Sequence, residues 1–316
     1  MNKNLLPADK DPRNPSFKYK NMENDDFTNT YEFEKFINKR NNIAKVFSGT
    51  LWGEGPAYIP HLETLVWSDI PNNRMLKLLN GKVSEFKNPS NFCNGNTIDN
   101  DENLISCSHG GRCIYITTDN LETEILVDNY QGKRFNSPND VCVKSDGTIL
   151  FTDPPYGILS NYEGFKANQE YDGCYVFSYN PNNKNLDTII KDLDRPNGIT
   201  LSPDEKKLYV ADTGENIKHL YSYDLINNNA VNKKLIYDFK PFFSDGFRCD
   251  KDGNIWTSAG KAIKCFNKEF KLIGQIKVPE LVSNCEFGGK EGNILYITAT
   301  TSLYSIELNQ QGAKFD

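Results

Sequence analysis

Six oxygen-bearing side chains recur at one position of a repeat: Glu54 in GEGPAYI, Asn94 in NGNTI, Asn139 in NDVCV, Asn197 in NGITL, Asp245 in DGFRC and Asn284 in NCEFG. Each precedes, by ten or eleven residues, an apolar, β-branched and aromatic run such as TLVWSD, ILFTD or LYVAD. Two carboxylates and four carboxamides form a hard oxygen donor set. Calcium accepts six to eight such oxygens in a flexible shell, and magnesium demands a tighter octahedron. The three histidines, His61, His109 and His219, all fall outside the recurring position, so a His-rich zinc site is not indicated.

Such chemistry requires distant segments to meet. The intervals between the six run from about 39 to about 58 residues, and strand-turn-strand repeats of about 40–50 residues are the signature of propeller blades. The fold expected is all-β, a six-bladed β-propeller. The inner strand of each blade then runs along a central channel, and the six side chains ring one mouth of it. The competing reading is turn chemistry, because Asn-Gly and Asp-Gly tolerate left-handed backbone; it applies to Asn94, Asn197 and Asp245 taken singly. Glu54 is no turn former, and Gly53, Gly55 and Pro56 around it suggest a constrained strand entry. A second register, Asp69, Ser108, Asp153, Asp212, Ala259 and Thr298, ends the following strands. Its acids are expected to hold backbone groups between blades, as short polar side chains do.

The chain has 316 residues, a formal net charge of −6 and 12% aromatics. No basic patch is visible, so nucleic acid is not an expected partner. None of the eight cysteines forms a CxxC pair, and several lie inside strand patterns, where a free thiol packs as a small hydrophobe. The polar start, MNKNLLPADKDPRNPSFKYK, has no apolar h-region, and no apolar run approaches the ~18 residues of a membrane span. Cytoplasmic residence and no membrane partner are the defaults. Oligomeric state is left open.

Residues 1–40 are charged and Asn-rich and read as an N-terminal extension, with a short helix expected within 24–40. Residues 41–316 read as the propeller domain. RMLKLLN-GK-VSEFKN is a hairpin with Asn80-Gly81 at its turn. IAKVFS is expected to complete the blade that ends in LYSIEL, so closing the ring. The segment 154–173, PPYGILSNYEGFKANQEYDG, is an insertion without a clear period, and loops of that length are usually functional.

WGEGPAY, FNSPNDVCVKSDGTILFTDPPYG, RPNGITLSPDEKKLYVADT and SDGFRCDKDGNIW together resemble the gluconolactonase and regucalcin (senescence marker protein) family over about residues 45–308, most closely its bacterial gluconolactonase branch. The resemblance implies one divalent cation in the channel, calcium first, with magnesium or zinc as alternatives. It implies Glu54, Asn139, Asn197 and Asp245 as ligands. It also implies Asp245 as the catalytic proton acceptor and donor, and Asn94, His109 and Asn139 on the substrate side. The substrate implied is a small lactone, opened by water at a metal-polarised carbonyl. One departure stands out: regucalcin-like members carry Arg two residues before the position of Asn139, where this chain has Ser137, with Arg134 upstream. No GxSxG elbow suggests an acyl-serine route. A phosphotriester hydrolase on the same calcium scaffold, and a non-enzymatic metal-stiffened binding propeller, remain the alternatives.

Overall fold

The computed structural model describes residues 27–38, 40–118 and 120–314. Six four-stranded antiparallel sheets follow one another along the chain, with strands laid down in order from the inside outward. Their innermost strands are Gly53–Ile59, Cys93–Ile98, Val141–Val143, Pro196–Leu201, Phe247–Cys249 and Val282–Gly288, and each packs against the next, the last against the first. This is the six-bladed propeller expected from the repeat. The strand Ala44–Ser48 pairs with Ser302–Glu307 as the outermost strand of the sixth blade. The N-terminal segment therefore closes the ring, as IAKVFS suggested.

The alternation of apolar residues in the inner and second strands produces a core between blades rather than within one. Val141, Phe151 and Phe177 of blade 3 pack with Ile105, Cys107 and Ile114 of blade 2. The other face of blade 3, through Cys142, Leu150 and Val176, packs with Ile199, Leu208 and Val210 of blade 4. All eight cysteines are free and buried, where burial raises the thiols, Cys93 and Cys142 to about 12. Asn80 and Gly81 both have positive φ, 50° and 72°, which makes the predicted hairpin turn the primed type that suits strand twist.

Of the N-terminal extension, residues 1–26 lie outside the described residues. The helix within 24–40 is a single turn, Tyr31–Glu34, capped by Thr30. Its Phe33 is fully buried against Trp256 and lies over Gly274, where a Cβ would come 2.0 Å from the ring. Among the described residues no helix is long and apolar enough to cross a membrane.

The second register clamps the segments that join successive blades. Asp69 accepts from the N–H of Leu51 at 2.9 Å. Asp153 accepts from Asn136 and Ser137 at 2.7 and 2.8 Å and from the Tyr171 hydroxyl. Asp212 accepts from Asp194 and Arg195 at 3.0 and 2.8 Å. Ser108 does the related task by donating to the carbonyl of Asn91 at 2.7 Å. In the sixth blade the equivalent residue is Ala299, not Thr298: Asn284 pairs with Thr298, as Glu54 pairs with Ser68.

Each clamp fixes the backbone two or three residues ahead of a recurring polar residue, so its loss leaves buried N–H groups without acceptors. Asp153→Ala should destabilise the protein by about 2–4 kcal/mol in urea unfolding, whereas the exposed Lys206→Ala should stay within about 0.5 kcal/mol.

Candidate active site

Glu54, Asn94, Asn197 and Asn284 lie near the starts of their inner strands, and Asn139 and Asp245 stand two residues ahead of theirs. None of Asn94, Asn139, Asn197, Asp245 or Asn284 has positive φ. The turn reading of Asn94, Asn197 and Asp245 is therefore wrong. The glycines after the recurring residues serve closeness instead. A Cβ on Gly55 would lie 2.0 Å from the carbonyl oxygen of Asn94, one on Gly95 2.4 Å from that of Asn139, and one on Gly198 1.9 Å from that of Asp245. On Gly246 it would lie 1.9 Å from Cγ of Asn284. Gly55 also has φ +50°.

Hydrogen bonds complete the ring. Gly95 N–H donates to Asn139 O at 2.8 Å, Gly246 N–H to Ser283 O at 2.8 Å, and Asn284 Nδ2 to Glu54 Oε2 at 3.0 Å. Hydroxyls on second strands reach the next blade: Ser68 donates to Asn94 O and Thr152 to Asn197 O, both at 2.7 Å. All six recurring residues are buried.

The electrostatics of the mouth are those of crowded carboxylates. Burial, with Asp140 and Glu163 nearby, raises Glu54 to about 8 against the opposing bonds from Asn284 and Gly55. Burial first, then Glu54, Glu163 and Asp140, holds Asp245 well above the usual range, and Asn197 opposes that. Burial raises Glu163 to about 7. Below the mouth Arg248 crosses the channel, donating to Glu286 Oε2 at 2.8 Å and to Asn96 O at 3.3 Å, with Asp140 at 3.7 Å. Beneath it a cavity of about 150 Å³ opens among Thr97, Cys142, Thr200 and Lys314.

The donor set suits a hard cation. Glu54 stands close enough to raise Asp245, Asn94 Oδ1 is buried with no hydrogen-bond partner among the described residues, and Asn197 spends its Nδ2 on Thr213 Oγ1 at 3.2 Å. Among the described residues no three His, Cys, Asp or Glu side chains form a metal cluster. A cation at this mouth therefore depends on the amide oxygens.

Sequence reasoning missed three participants. Glu163 and Tyr156 come from the insertion, and Thr213 ends the VADT run. The Tyr156 hydroxyl meets Thr213 Oγ1 at 2.6 Å. The carbonyl of Glu163 meets His109 Nδ1 at 2.9 Å, while His109 Nε2 lies 3.1 Å from Asn94 Nδ2. Ser137, at the position of the missing Arg, donates to Pro154 O at 2.6 Å and accepts from Gly157 N–H at 2.9 Å. The insertion is rich in Gly, Tyr and Asn but lacks periodicity, so only its length hinted at a role.

Residues 52–301 match the model of the SMP-30/Gluconolactonase/LRE-like region. The chain is 33% identical over 296 residues to a gluconolactonase of Zymomonas mobilis subsp. mobilis, covering 85% of this chain and 82% of that protein. A gluconolactonase structure from Xanthomonas campestris superposes with a TM-score of 0.85 at 32% identity, over 88% of this chain and 93% of that one. The calcium-binding regucalcin of Agrobacterium tumefaciens shares the fold, with a TM-score of 0.71 at 16% identity over 85% and 94% of the two chains.

If strand closeness sets the mouth, one methyl group will spoil it. Gly246→Ala should lower the melting temperature, at a cost of about 1–3 kcal/mol for overpacking, and should abolish cation binding measured by calorimetry. Gly81→Ala, with nothing within 4 Å of its added Cβ, should leave cation binding intact.

Proposed function

The chain belongs to the SMP-30/gluconolactonase/LRE-like family, and on that premise we propose that it hydrolyses a small lactone of the gluconolactone class with the help of one divalent cation. The observation that carries this is the ring of buried oxygen-bearing side chains at one mouth, with Glu54 raising Asp245 across it. Glu54, Asn139, Asn197 and Asp245 would hold the cation, which would polarise the lactone carbonyl as a Lewis acid. Calcium suits this set of carboxylates and amides best, and the Agrobacterium relative is calcium-binding.

The chain's own groups supply the rest. Asp245 is the base: its backbone N–H is fixed by Ser258 Oγ at 2.8 Å, which aims the carboxylate into the mouth. It removes a proton from the attacking water as the new C–O bond forms, and the ring C–O bond then breaks. The proton returns from Asp245 to the departing ring oxygen, leaving a hydroxy acid. Asn284 and the Gly55 N–H orient Glu54. Asn94 and Asn139 face substrate hydroxyls, and His109 stands behind Asn94. An uncharged ester matches a mouth whose nearest guanidinium, Arg248, is committed to Glu286 and Asp140.

The experiment is a side-by-side assay of gluconolactone, an aromatic lactone and a phosphotriester with wild type and Asp245→Asn. Lactone opening by wild type, lost at least about 1,000-fold in the variant with an unchanged circular dichroism spectrum, is the expected result; loss of a base that also holds the cation removes two effects of about 10²–10³ each. Turnover of the phosphotriester alone would replace the substrate class, and turnover undiminished in Asp245→Asn would remove Asp245 from its role.

A further inference from the structure

The insertion of blade 3 is tied to the recurring residues of both neighbouring blades. On one side the Tyr156 hydroxyl bonds Thr213 Oγ1, which accepts from Asn197 Nδ2. On the other the Glu163 carbonyl bonds His109, which bonds Asn94. With a neutral ring the second tie has one consistent proton arrangement. A carbonyl oxygen accepts and cannot donate, so His109 Nδ1 must carry a hydrogen. The ring is buried at 1% exposure, and burial lowers its basicity to about 4, so the imidazole is neutral and Nε2 keeps its lone pair. Asn94 Nδ2 is then the donor to Nε2. The amide of Asn94 is held in one of its two orientations, with Oδ1 turned the other way.

That oxygen is buried and accepts no hydrogen bond among the described residues, a costly state unless a ligand completes it. The packing around His109 is equally committed. A Cβ on Gly157 would lie 2.5 Å from Cβ of His109, and one on Gly164 would lie 2.2 Å from the carbonyl oxygen of Gly157. The glycines of PPYG and YEG are thus the residues that let the insertion close onto the imidazole. Phe165, next along, meets Phe92 edge-on at 5.2 Å.

We infer that His109 is a positioning residue: held by the backbone of the insertion, it turns the Asn94 amide oxygen toward the substrate, where that oxygen accepts a hydrogen bond from a ring hydroxyl of the lactone. This rests on the proposed lactonase reading and adds to it the source of hydroxyl selectivity. The insertion determines selectivity through the lock it places on His109, and the chain achieves this without an arginine at position 137.

Two arms test it. In the first, kcat/KM is measured for gluconolactone and for δ-valerolactone, which has no ring hydroxyls, with wild type, His109→Leu and His109→Gln. The preference for the hydroxylated lactone should fall about tenfold in His109→Leu, the value of one neutral hydrogen bond, and should recover partly in His109→Gln, whose amide can still accept from Asn94. A general structural role would lower both substrates together; an unchanged preference overturns the proposal. The second arm needs no variant to fold: ¹⁵N spectra of histidine-labelled wild type, with three histidines in all, should show His109 neutral, protonated at Nδ1 and bare at Nε2, between pH 6 and 8. A proton on Nε2 overturns the proposal. Wild type that opens neither lactone contradicts the lactonase reading and with it the hydroxyl contact, while the nitrogen spectrum still decides how Asn94 is oriented.

Discussion

Everything at the mouth depends on how closely neighbouring inner strands approach one another. The glycine after a recurring residue is pressed against the next blade's own recurring residue, at Gly55 on Asn94, Gly95 on Asn139, Gly198 on Asp245 and Gly246 on Asn284. No side chain beyond hydrogen fits there. The ring is therefore drawn tight by backbone contact, and its polar side chains face a common axis because strand geometry leaves them no other direction. The aspartate clamps at Asp69, Asp153 and Asp212 then hold the entering backbone in register.

The architecture was readable from sequence because a propeller repeats its chemistry: one polar residue, a hairpin turn, an apolar strand, six times over. Ring closure by the N-terminal strand was readable for the same reason, since IAKVFS had no partner inside its own repeat. The Asn-Gly pairs were ambiguous because local preference and close packing select the same dipeptide, and only neighbouring strands distinguish them. Thr298 was placed one residue short because the step from recurring residue to strand end differs between blades, and only pairing shows that Asn284 lies opposite Thr298 as Glu54 lies opposite Ser68. The insertion was opaque for a different reason. Gly157 and Glu163 meet His109 through close packing and a backbone carbonyl, so their residue types announce little about where they go.

The mouth is also a place of stored electrostatic cost. Glu54, Asp140, Glu163 and Asp245 are all raised from their ordinary values, burial being the first cause in each case. Arg248 answers Asp140 and Glu286 lower in the channel. A chain that keeps acids buried and adjacent has a folded state that gains strongly from a cation at the rim, and the gain appears as binding energy. On the proposed reading, the same crowding that destabilises the bare ring would favour a hard, doubly charged ion.

The most direct measurement is cation stoichiometry by calorimetry on metal-stripped protein, comparing wild type with Glu54→Gln and with Glu102→Gln, an acid on the turn at the far end of the innermost strand of blade 2, where it accepts from His61 N–H. One calcium-sized cation per chain, bound by wild type and Glu102→Gln and lost in Glu54→Gln, is the predicted result. Equal binding by wild type and Glu54→Gln, or no binding by either, would contradict the claim that Glu54, Asn139, Asn197 and Asp245 act together as one ion-gripping mouth.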